Sequence, residues 1–83
     1  MVLFFPIGKM AREIRSARDL GAALRAARKK AGLTLAECAG ANGVGIRFLS
    51  ELERGKETAS LGKALKIALS LGVRLEASRA GER

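Results

Sequence analysis

Residues 34–56 read TLAECAGANGVGIRFLSELERGK, and this stretch decides the fold. Thr34 and Glu37 stand three positions apart just before an apolar run, the spacing of a capping box. In that arrangement the Thr34 hydroxyl accepts from the Glu37 amide, and the Glu37 carboxylate reaches back to the Thr34 amide. Leu33 before the cap and Cys38 at the fourth helical position are placed to close a hydrophobic staple. This helix is expected to end near Ala41, because Gly40, Gly43 and Gly45 crowd the residues around its end. Asn42-Gly43 is a turn pair, with Gly43 suited to positive φ. A second helix then spans about Ile46 to Arg54 and stops at Gly55. Leu49 and Leu52 form its buried face, and Arg47, Ser50, Glu51 and Arg54 lie on its other sides. A capped short helix, a tight glycine turn and a second short helix make a helix-turn-helix unit.

Outward from this unit the pattern stays helical. On the N-terminal side, Ser16-Ala-Arg-Asp19 has the form of an acidic capping box. Leu20, Ala23, Leu24, Ala27 and Ala31 recur at helical spacing as a buried stripe. Lys29 and Lys30 suit the negative end of that helix, and Gly32 supplies a left-handed stop. On the C-terminal side, Ser60 caps a helix that runs to Gly72. Its apolar positions Leu61, Ala64, Leu65, Ala68, Leu69 and Leu71 make it the most apolar of the four. Beyond Gly72 the period becomes two: Val73, Leu75 and Ala77 alternate with Arg74, Glu76 and Ser78, a half-buried strand. A lone strand leaves its backbone unsatisfied, so it needs a partner, and a second copy of the chain is the obvious source. Residues 1–15 form an N-terminal extension in which Val2 to Phe5 read as a short strand, with Pro6 at its end. Met10 opens a second plausible N-terminus, which would leave residues 1–9 as an upstream extension. The expected organisation is residues 16–72 as the helix-turn-helix domain, 73–78 as a dimerisation strand and 79–83 as a disordered tail.

Composition narrows the function. Eighty-three residues hold one small domain with a thin core. Sixteen Lys and Arg against eight Asp and Glu give a formal charge of +8, which favours a polyanionic partner. There is no His and a single Cys, so the usual general base near neutral pH is missing, and an internal disulfide is excluded. No enzyme activity, cofactor or metal is expected. No apolar run approaches the ~20 residues that span a bilayer, and the opening residues lack a basic segment and a cleavage site, so the expected location is cytoplasmic. A membrane-active cationic peptide is disfavoured by the capping motifs, the glycine punctuation and the acidic residues.

The segment from Thr34 to Lys56 resembles the helix-turn-helix of the Cro/repressor (XRE) family, on the spacing Ala39…Gly43-Val44…Leu49-Ser50…Leu52-Glu53…Gly55. With Gly55 to Gly72 and the following strand, it looks most like HipB-type antitoxins. The resemblance covers roughly residues 16–78. It implies a mostly α, four- to five-helix, lambda-repressor-like domain whose C-terminal strand (Val73, Leu75, Ala77) pairs across a dimer. It departs from the family at Leu35, where Gln is common, and at Gly45, where Ser or Thr is common. Cys38 replaces an aliphatic residue and reads as a small core side chain.

By this resemblance the helix from Ile46 enters the major groove and the preceding helix crosses the backbone. Base-reading positions are then Gly45, Ile46, Arg47, Ser50 and Glu51. Arg47 suits either a bidentate guanine contact or a phosphate clamp. Ile46 suits a thymine methyl or the seal between the two helices, and Glu51 a cytosine amine or a repulsive role. Phosphate positions are Thr34, Arg54, Lys56 and Thr58, with Arg28, Lys29 and Lys30 weaker. Arg28 and Glu53 resemble an internal ion pair of the family. The implied partners are a palindromic operator in double-stranded DNA, a second copy of the chain and a HipA-like kinase toxin, with no membrane. The alternative is a stand-alone phage-type or restriction-modification controller repressor without a toxin.

Overall fold

The computed structural model describes residues 2–4, 11–77 and 79. Among them are four helices, α1 (Ala17–Lys30), α2 (Leu35–Asn42), α3 (Ile46–Glu53) and α4 (Leu61–Ser70). Three short strands accompany them, β1 (Val2–Phe4), β2 (Ala11–Glu13) and β3 (Arg74–Glu76). Phe5, Pro6, Ser78 and nearly all of the tail lie outside the described residues. No helix among the described residues is long and apolar enough to cross a membrane.

Three of the four helices begin where a side-chain cap directs, α3 being the exception. Ser16 Oγ accepts from the Asp19 amide at 3.1 Å, but the Asp19 carboxylate turns to the Arg15 amide at 2.9 Å instead of returning to Ser16. Ser60 Oγ accepts from the Lys63 amide at 3.3 Å. The turns after α1 and α2 close on Gly32 and Gly43 in the left-handed region, φ 75° and 67°. There Leu33 and Val44 return their amides to Arg28 and Ala39.

The core is one cluster, with Leu24 of α1, Cys38 of α2, Leu49 of α3, Ile67 of α4 and Val73 as its most deeply buried larger side chains. Asn42 joins α2 to α4: its amide donates to the Ser70 hydroxyl and to the Cys38 carbonyl, each at 3.0 Å. Burial pushes the Cys38 thiol up, as fits a thiol that serves as packing. Two expected stripes are corrected. Ala31 is exposed, because α1 ends one residue before it. Leu61, Leu65 and Leu69 are 59%, 38% and 73% exposed, since the core takes only Ala64, Ile67 and Ala68 of α4.

The C-terminal strand has its partner within the chain. β1 lies between β2 and β3 and is antiparallel to both, with Val2 opposite Glu13 on one side and Glu76 on the other. The expectation that a second copy pairs this strand is therefore revised on one side, which β1 takes; among the described residues β3 stays at the margin of the sheet with its other side open. Val73 and Ala77 flank the strand; Val73 is buried and Ala77 exposed.

α1 meets α3 at very short range. A methyl group on Gly21 would run into the carbonyl oxygen of Leu52 and lie 2.6 Å from that of Glu53. Backbone cannot yield as a side-chain tip can, so Gly21→Ala should destabilise by roughly 1–3 kcal/mol despite the better helix propensity of alanine. Gly40, also helical, has open space around it, and Gly40→Ala should stabilise by about 0.5–1 kcal/mol. Urea midpoints moving in opposite directions check the pair; a midpoint for Gly21→Ala at or above wild type would overturn the steric argument.

Candidate nucleic-acid interface

The approach to the site begins at the start of α2. Thr34 Oγ1 accepts from the Glu37 amide at 3.0 Å, and the Thr34 amide donates to Glu37 Oε1 at 2.8 Å. That bond from the Thr34 backbone holds the Glu37 carboxyl below its usual range. The box fixes where α2 begins and leaves Thr34 exposed there, with Leu35 half-buried behind it. The Gly43 turn then swings the chain into α3, which opens at Gly45 with no side-chain cap.

α3 is divided sharply by environment. Leu49, Leu52 and Glu53 are buried, Ser50 and Glu51 are half-buried, and Ile46, Arg47 and Arg54 are exposed. Ile46, Arg47, Ser50, Glu51 and Arg54 therefore occupy one continuous outward side. The Arg47 side chain, 91% exposed, donates to Glu51 at 3.3 Å, one helical turn away. Lys56 folds back from the following loop to the other oxygen of Glu51 at 3.1 Å. The Lys56 ammonium is the main cause that holds the Glu51 carboxyl below its usual range. Glu51 thus gathers two cations that the sequence places nine residues apart. Thr58 is exposed in the turn that leads to α4.

A buried ion pair braces this helix from behind. Arg28 Nε donates to Glu53 Oε2 at 2.7 Å and Nη2 to Oε1 at 3.0 Å, with the two side chains 8% and 5% exposed. The remaining nitrogen, Nη1, donates to the Leu33 carbonyl at 2.8 Å. One planar fork therefore ties α1, the end of α3 and the turn before α2. The hydrogen bonds to Glu53 are the largest cause that raises the Arg28 pKa above its usual value.

Sequence reasoning did not find Asn42 as a tie between α2 and α4, having read it only as half of a turn pair. Its phase with Cys38, one turn earlier on the buried face, was the available sign.

The helix-turn-helix family model matches residues 24–77. An uncharacterised HTH-type transcriptional regulator of Sinorhizobium fredii, y4mF, is 43% identical over 74 residues, spanning 89% of this chain and 97% of its own. Among solved structures, the chain of a HipB–O4 20mer complex is 26% identical with a TM-score of 0.74, covering 83% of this chain and 97% of that one. A chain of the HipA-HipB-O2-O3 complex is 25% identical with the same TM-score of 0.74, over 83% and 97%. A capped helix, a left-handed glycine turn, a braced second helix and these likenesses together place the chain in the helix-turn-helix family of Cro/repressor (XRE) type.

Proposed function

We propose that the chain is a dimeric, sequence-specific DNA-binding autorepressor, and the antitoxin partner of a HipA-like kinase toxin. The observation that carries the DNA-binding part is the outward side of α3, where Arg47 and Ser50 stand exposed or half-exposed on a helix braced by the buried Arg28–Glu53 pair. A reading head needs that stiffness, because base contacts reward only fixed geometry. The charge of +8 supplies the general attraction to a polyanion. The similar HipB chains come from complexes with a 20mer and with HipA, which favours operator DNA and a kinase-type partner here as well.

In this reading Gly45, Ile46, Arg47, Ser50 and Glu51 face the base edges, and Thr34, Arg54, Lys56 and Thr58 face phosphates. Arg47 leaves Glu51 to meet a base, so the free protein stores its reading cation on a neighbouring carboxylate. Arg47→Ala should weaken binding to the specific site by about 1–3 kcal/mol and relax preference at one base pair. Titration against single-base operator variants checks this; uniform weakening across all of them would make Arg47 a phosphate clamp.

The second copy is assigned to the exposed leucines of α4 and the open side of β3, which adjoin each other in the fold. Two recognition helices would then sit about one helical turn, ~34 Å, apart on a palindrome. The decisive experiment is titration into random duplex and into the chain's own upstream region at 50 and 200 mM salt. A dimer with ~6–10 phosphate contacts should lose roughly 10³–10⁵ in affinity across that range while keeping its preference for the upstream region. Equal, wholly salt-driven binding to both would reject the repressor reading.

A stand-alone repressor is the second reading, favoured by the Sinorhizobium relative, which is described only as a transcriptional regulator. A neighbouring kinase-like gene whose product co-purifies with this chain decides for the antitoxin; absence of such a gene decides against it.

A further inference from the structure

Between α1 and α3 lies an open groove of about 630 Å³. Ala22 and Ala26 of α1 and Leu35 of α2 supply apolar lining, and Ser50 of α3 with Arg54 at its C-terminal cap form the margin toward the reading side. Arg25 and Lys29 stand on its α1 margin. Both are exposed, as is Arg54, and none of the three has an ion-pair partner among the described residues. The only carboxylate in the lining, Glu53, is already engaged by Arg28. Four cations against one carboxylate leave the groove a net charge of about +3, with no histidine in the chain to modulate it.

The charges are arranged, not scattered. Arg25 and Lys29 are one turn apart on the same face of α1, where like charges repel. Arg18, seven residues before Arg25, continues this row. At ~1.5 Å per residue the three lie about 10 and 6 Å apart along the helix. A nucleic-acid strand carries a phosphate every ~3.4 Å of axis and can present one to each. Ser50 and Arg54 belong both to this groove and to the outward side of α3, so the two surfaces are continuous.

We propose that the α1–α3 groove is a further phosphate-binding site. Arg25 and Lys29, with Arg54, hold the phosphodiester backbone of the strand that borders the major groove entered by α3. This rests on the proposed DNA-binding function and extends it from Arg54 and Lys29, which the sequence already offers for phosphate, to Arg25 and the groove that joins all three. The shallow alanine lining suits a backbone lying along it better than a side-chain anchor sunk into it.

The test is the double variant Arg25→Gln/Lys29→Gln, whose exposed substitutions keep helix propensity. The slope of log affinity against log salt should fall by about 2 per bound protomer. Affinity for the upstream region and for random duplex should fall by the same factor, so that preference is unchanged. A wild-type slope with wild-type affinities would overturn the groove while leaving the reading of α3 intact, which Arg47→Ala probes separately. An equal fall in slope from Lys63→Gln/Lys66→Gln on α4 would also overturn it, by reducing the effect to net charge. Absence of DNA binding by the wild-type chain would overturn both readings together.

Discussion

Arg28→Ala is expected to lower the unfolding free energy by about 3–5 kcal/mol, against a total of roughly 4–12 kcal/mol for a chain of this length. The guanidinium is the shared donor to Glu53 and to the Leu33 carbonyl. Removing it leaves a carboxylate in a site 5% exposed to water and a carbonyl without its donor. Most of the loss comes from that uncompensated charge and not from the attraction itself. Arg28→Lys should fall between alanine and wild type, because a point charge cannot satisfy two carboxylate oxygens and a carbonyl at once. The double replacement Arg28→Met/Glu53→Leu should recover much of the stability, since an apolar pair of similar volume carries no desolvation cost. Urea denaturation followed by circular dichroism reads all three. A loss below about 1 kcal/mol for Arg28→Ala would mean that water reaches the pair, as at surface ion pairs.

The second large effect concerns assembly. Leu65→Glu/Leu69→Glu changes side chains that are 38% and 73% exposed in the protomer, so its effect on protomer stability should be small. In the proposed dimer the same positions are covered, and a pair of charges there should separate the protomers. Each recognition helix would then bind its half-site alone, and affinity for a palindromic site should fall by ~10²–10⁴-fold as the effective concentration of the second helix is lost. Sedimentation and DNA titration on the same sample link the two. A variant that stays dimeric and binds normally would move the seam from α4 to the open side of β3.

How much of the fold and the site was legible in the sequence depends on the range of the interactions. Thr34 and Glu37, Gly43, and Leu49 with Leu52 are separated by a few residues, so the sequence states their relation directly. The same holds for Ser16 as a cap, although Asp19 had two backbone amides within reach and took that of Arg15. Leu65 and Leu69 were legible as apolar but not as exposed. Helical periodicity defines the apolar arc of α4, while the crossing of the other helices decides which part of it the protomer covers. Arg25 and Lys29 become a groove only because Gly21 lets α1 close on the backbone of α3. The pairing of β1 with β3 joins positions at opposite ends of the numbering and leaves no local pattern at all.

That sheet gives the first few residues a part in closing the fold. β1 is the middle strand, and it gives both β2 and β3 their neighbour. A ribosome that initiated at Met10 would make a protein without it, and both flanking strands would then present bare edges, the surfaces on which chains recruit one another. β1 thereby closes one edge of the C-terminal strand that would otherwise be offered to another polypeptide.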